Sequence, residues 1–69
     1  MKITYFPDTD TAHIEFSGGP PQETREVSED VLIDLDAQGR LVGMTLEHAS
    51  QTAAIKELSF QEVSPAPAR

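Results

Sequence analysis

Along residues 11–17 apolar and polar positions alternate: Ala12, Ile14 and Phe16 interleave with Thr11, His13 and Glu15. A two-residue repeat belongs to an extended strand with one buried and one wet face, so His13 and Glu15 project away from the core. Residues 2–6, Lys-Ile-Thr-Tyr-Phe, are also β-rich. Between the two runs Pro7-Asp8-Thr9-Asp10 joins a fixed φ to two short carboxylates able to close a turn, and a first hairpin is predicted. Gly18-Gly19-Pro20-Pro21 cannot continue a strand, since proline lacks a donor and glycine loses most entropy on ordering. Residues 22–27, Gln-Glu-Thr-Arg-Glu-Val, suit a short edge strand whose charges discourage edge-to-edge pairing, and Ser28-Glu29-Asp30 reads as a polar turn.

The strongest strand pair is 31–36 with 41–48, joined by Ala37-Gln38-Gly39, where Gly39 suits a left-handed backbone. A three-residue loop closes Asp36 opposite Arg40 and sets Asp34 across from Val42, which mixes acid with the apolar face. A four-residue loop closes Leu35 opposite Arg40 and aligns Val31 and Ile33 with Met44 and Val42. A slip of one residue inverts every side chain, so the second register is expected. It leaves Leu32, Asp34, Leu41, Gly43 and Thr45 on the other face. There Leu32 and Leu41 form a candidate interface, with Gly43 marking a bulge or a close approach of another backbone.

Ser50 reads as an N-cap, and Ala54, Ile55 and Leu58 fall at helical spacing, so residues 51–58 predict a short helix packed on the sheet. The fold class that follows is α+β: a small antiparallel β-meander of four to five strands with one short C-terminal helix. The expected core is Ile3, Tyr5, Ala12, Ile14, Phe16, Val31, Ile33, Val42, Met44, Leu46, Ile55 and Leu58. Residues 1–63 are expected to form a single domain and 64–69 a disordered tail, with Phe60 and Val63 left unplaced.

Size and charge shift the picture toward association. A chain of 69 residues buries only about 60% of its unfolded surface. It has no cysteine for a disulfide or thiolate metal site. A homo-oligomer, most simply a two-fold dimer, is therefore expected. Twelve acidic and five basic residues give a net charge of −7, which repels phosphate backbones and favours a basic protein partner over nucleic acid. The first residues carry no apolar region of signal-peptide length and no stretch approaches a membrane span, so a soluble cytoplasmic protein without a membrane partner is expected.

Chemical motifs are sparse. Asp34-Leu35-Asp36-Ala37-Gln38-Gly39 opens like a calcium loop, but Gln38 stands at position 5 and Thr45 at position 12, and both flanks alternate as strands. The stretch reads as turn chemistry instead, with Asp36 accepting from nearby amides and Gly39 supplying φ > 0. His13 and Glu15 project in parallel as an acid/base or metal pair, against the plainer reading of two exposed polar side chains. His48, in phase with Met44 and Leu46, reads as a hydrogen-bonded rim histidine. No phosphate loop, nucleophile elbow or H-E-x-x-H is present, so enzymatic activity is the weaker class and no cofactor is expected. The alternative to an interaction module is a small-molecule or metal-binding protein using His13, Glu15, Asp34 or His48.

The order of a first strand, a P-D-T-D turn, "AHIEFS", the acidic linker "ETREV", and "VLIDLDAQGRLVGMTLEHAS" resembles a small bacterial family catalogued as domain of unknown function 2283, over about residues 1–58. The aspartate-rich strand, glycine turn, V-G-hydrophobic step and terminal A-S carry the likeness. The resemblance implies the fold above and no catalytic residues. Through relatives encoded beside small toxin-like proteins, it also implies an antitoxin-like or partner-binding role.

Overall fold

Five strands build one antiparallel sheet in the computed structural model, which describes residues 1–65. They are β1 (Lys2–Phe6), β2 (Thr11–Glu15), β3 (Glu23–Ser28), β4 (Val31–Leu35) and β5 (Leu41–Leu46), followed by one short helix, α1 (Ala49–Thr52). The order across the sheet is β1-β2-β5-β4-β3. A hairpin, β1–β2, and a three-strand meander, β3–β4–β5, are thus joined along β2 and β5. The expected antiparallel sheet with one short helix is present. The proline-glycine loop carries the chain from β2 to the far edge, so that β5, the strand with the most buried positions, lies centrally.

Both expected turns form where turn chemistry is strongest. Residues 7–10 close the first hairpin, with Asp10 in the left-handed region at φ 54°. In the second, Asp36 Oδ1 accepts from the amides of Gln38 and Arg40, each at 2.9 Å, and Gly39 sits at φ 78°. The Asp36 amide donates to the Arg40 carbonyl at 2.9 Å, which is the closure of a three-residue loop.

The expected register between β4 and β5 is therefore corrected. Val31 pairs with Leu46, Ile33 with Met44 and Asp34 with Gly43, two residues displaced from the four-residue-loop pairing; beyond an irregularity, Leu35 pairs with Leu41. Val42 is the extra residue of this bulge. A bulge absorbs one position, so the chain uses the tighter turn and still keeps Val31, Ile33, Met44 and Leu46 on one face. Val42 is buried at 5% exposure. It lines a concavity with His13, Asp34 and Gly43 instead of aligning with Ile33. The bulge also sets Leu32, opposite Thr45, three pairings away from Leu41, opposite Leu35.

The helix differs more. It spans Ala49–Thr52 and not 51–58; its N-cap is His48, in the left-handed region and without a side-chain cap bond. Ser50 lies inside the helix. The reason is tertiary: the exposed amides of the first turn are met from the β1–β2 turn, the Asp10 carbonyl accepting from Ala49 at 2.8 Å and its carboxylate from the Ser50 amide at 3.1 Å.

Ala12, Ile14, Leu46 and Ala49 form the buried cluster, with Ile3, Tyr5, Phe16, Val31, Met44 and Ile55 packed against it. Leu35 is buried too, and neither it nor Ala49 was in the expected core. Leu58, which was, is 72% exposed because the helix that would turn it inward stops at Thr52. Strand β3 is exposed at every position, as its charged sequence predicts, and Arg25 pairs along it with Glu23 at 2.6 Å.

Candidate functional site

Two places gather polar side chains. The first lies on the sheet face opposite the apolar cluster. Alternation in β2 sends His13 and Glu15 there, and the pairings His13 with Thr45, Glu15 with Gly43 and Asp34 with Gly43 bring the central strands together around one glycine. A Cβ at Gly43 would stand 3.1 Å from Asp34 Oδ2 and 3.6 Å from His13 Cε1, so the missing side chain is what lets the carboxylate lie over the strand. His13 Nδ1 shares a hydrogen bond with Thr45 Oγ1 at 3.1 Å, and Thr24 Oγ1 donates to Asp34 Oδ1 at 2.6 Å. The result is a shallow depression of about 120 Å³ that His13, Glu15, Asp34, Val42 and Gly43 help to line, closed on one side by the 17–21 loop.

Three of the four residues expected to serve a ligand therefore line one concavity. His48 does not, since it lies beyond the end of β5. Among the described residues no three His, Asp or Glu side chains are arranged to hold a metal ion. Among the described residues no buried side-chain polar atom lacks a hydrogen-bond partner.

The second place is the end of the sheet where the 7–10 turn, the 29–30 turn and residues 47–52 converge. It gathers Asp8, Asp10, Glu29, Asp30 and Glu47. Asp10 is its knot. Its carboxylate accepts from Tyr5 Oη at 2.6 Å and from Ser50 Oγ at 2.7 Å. Those bonds, the Tyr5 hydroxyl first, hold the Asp10 carboxyl below the usual carboxylate range, and the same carboxylate raises the Tyr5 phenol. The local sequence showed only the aspartate closing the P-D-T-D turn, not its bonds to Tyr5 and Ser50.

Asp30 organises the neighbouring corner. Its carbonyl accepts from the Glu47 amide at 2.8 Å, and its carboxylate meets His48 Nδ1 at 2.9 Å. The rim-histidine expectation holds, with Asp30 as partner.

Residues 2–50, which contain all of these groups, match the family described as protein of unknown function (DUF2283). The chain belongs to this family. Comparison with curated proteins and with solved structures gives no match. The DUF2283 match ends inside α1, so the Asp10 knot, the Asp30–His48 pair and the Gly43 depression all fall within it, whereas residues 53–65 follow it.

The Asp30 pair gives His48 a testable titration. Hydrogen bonding to Asp30, then its charge, raises the His48 pKa above the ordinary histidine value of about 6.5. A raised histidine stabilises the fold fully below the unfolded value, and that contribution is lost as pH rises through the folded pKa. Imidazole proton shifts followed by NMR should place the His48 midpoint above 6.5, and Asp30→Asn should bring it down. An unchanged midpoint in Asp30→Asn would remove the pair as its cause.

Proposed function

We propose that this DUF2283 protein is a non-enzymatic protein-interaction module of the cytoplasm, with α1 docked on its sheet and two kinds of surface: an apolar face for self-association and an acid-rich end for a basic protein partner. The observation that carries the reading is the incomplete roof over the sheet. Ile3 and Met44 stay half-buried against a cluster whose fully covered members are alanines, Ile33 is half-buried opposite Met44, and Leu58, Phe60 and Val63 are 72–86% exposed. Enzymes enclose their reacting groups in concave, largely preformed pockets; here the polar groups sit in open depressions and the apolar surface is left uncovered. An antitoxin-like role, neutralising a small basic protein at the end bearing Asp8, Asp10, Glu29, Asp30 and Glu47, is the form of this function that the acidic balance supports best.

Affinity capture at about 50 mM salt, followed by a salt wash, tests it. A basic protein should be retained and then released as salt approaches about 0.5 M, because exposed charge pairs are screened there. It should also be lost with the exposed double change Asp8→Lys/Glu29→Lys. Stoichiometric zinc or manganese binding abolished by His13→Ala, with no retained protein, would instead favour the ligand-binding alternative at the Gly43 depression.

A further inference from the structure

The fold leaves a row of apolar side chains across four strands only partly covered. Ile3 on β1 pairs with Ile14 on β2, Ile14 with Met44 on β5, and Met44 with Ile33 on β4. Of the four only Ile14 is buried. A sheet face of this kind is stable when a second layer covers it. From residues 53–65 only Ile55 packs against the cluster.

The same chain carries the missing material. After α1 the chain turns at residues 54–57, with the Glu57 amide donating to the Ala54 carbonyl at 2.9 Å, and continues without regular structure as an arm in which Leu58, Phe60 and Val63 touch little, at 72%, 86% and 75% exposure. The radius of gyration, 14.8 Å, exceeds the value of about 11 Å for a compact chain of this length. We propose that the occupant of the apolar face is a second copy of this chain, each protomer laying its 56–63 arm across the Ile3–Ile14–Met44–Ile33 row of its partner. The proposal rests on the interaction-module reading and names its partner.

Reach, area and charge agree with it. Eight extended residues span about 26 Å, and five strands about 4.8 Å apart measure roughly 19 Å across, so one arm can traverse a whole sheet. Leu58 and Phe60, two residues apart, present to the same side of an extended chain. The protein exposes 5589 Å², whereas a folded monomer of its mass, 7.5 kDa, exposes about 4,200 Å². An excess of about 1,300 Å² on each of two chains lies in the range that obligate homodimers bury. Exchange of identical arms closes with two-fold symmetry and does not propagate. Five carboxylates gather at the sheet end, and the charged pair beside the row, Glu23 with Arg25, is mutually neutral. Most of the net charge of −7 thus lies away from the row; the arm itself carries Glu57 and Glu62 against Lys56, and salt screens the remaining repulsion beyond about 8 Å.

Sedimentation equilibrium of the full chain from about 1 to 500 µM, with isotope-filtered NMR on a mixture of labelled and unlabelled protein, tests it. The expected result is a dimer with intermolecular contacts from the Phe60 ring to the methyls of Ile33, Met44 and Ile3. The double change Leu58→Ser/Phe60→Ser should weaken the dimer at least about tenfold. Because both side chains are exposed in the protomer, it should leave the protomer fold intact by circular dichroism. A monomer at 500 µM overturns the proposal, as does a dimer unchanged by the double substitution, one whose contacts run through Leu32 and Leu41, or an arm that contacts only its own sheet. A monomer that still retains a basic protein would overturn this inference and leave the interaction-module reading standing.

Discussion

Leu46→Ala is expected to remove about 2–5 kcal/mol of stability, a large fraction of what a chain of this length has. Leu46 is the best-buried large side chain of the apolar cluster's central strand, at 9% exposure, and it pairs with Ala12 on one side and Val31 on the other. Ala49, fully buried, belongs to the same cluster. Truncating a buried leucine costs about 2–5 kcal/mol through lost transfer energy and the cavity left behind. A domain of this length has roughly 3–10 kcal/mol in total. The two ranges overlap, and few other side chains in the cluster are both large and covered. Far-UV circular dichroism and urea titration at low micromolar concentration check it. Val27→Ala, at 62% exposure on the edge strand, is the control and should change stability by less than about 0.5 kcal/mol. A cooperative urea transition for Leu46→Ala with an unchanged midpoint would show that the cluster is not where the stability resides.

Asp10→Ala is expected to detach α1 and lower Tm by roughly 5–10 °C for a chain this small. The substitution removes the acceptor for Tyr5 Oη, Ser50 Oγ and the Ser50 amide together. It also places alanine at φ 54°, a conformation that asparagine and glycine adopt more readily. Stability should therefore fall least in Asn, which keeps one acceptor and tolerates the backbone, more in Gly, which keeps only the backbone, and most in Ala. Amide shifts of Ala49 and Ser50 should move toward random-coil values in the same order. The pH dependence has a fixed sign. Asp10's carboxyl is depressed in the folded chain, so its contribution is present above the unfolded carboxylate value and disappears as pH falls through the folded one. Wild type should lose stability in that acid window more steeply than Asp10→Ala. Equal acid slopes would mean that the carboxylate is not the group that ties the turn to the helix.

The sequence by itself determined whatever is decided within a few residues. Alternation in residues 11–15 set the strand and its wet face, because a period of two admits no other regular structure. Asp36 and Gly39 set the second turn, because the carboxylate reaches the Gln38 and Arg40 amides from within the same loop and glycine takes the positive φ. The charged run at 23–28 marked an exposed edge, and the family was legible from the same short motifs. Of the candidate site, the projection of His13 and Glu15 could be read from β2 alone, whereas their meeting with Asp34 over Gly43 could not.

What the tertiary structure decided are the choices in which two local preferences compete or a distant group intervenes. The loop favoured three residues and the apolar pattern favoured another register; only a bulge at Val42 satisfies both, and it costs one unpaired residue that a pattern cannot place. Helical spacing favoured 51–58, but the helix starts where Asp10, some forty positions earlier in the chain, caps it. It stops at Thr52 because such a short segment has little intrinsic stability without packing along its length. Leu58 was left outside for that reason. Local geometry is fixed by the few torsions and side chains next to it, while register, caps and coverage depend on which distant groups the closed sheet brings within hydrogen-bond reach.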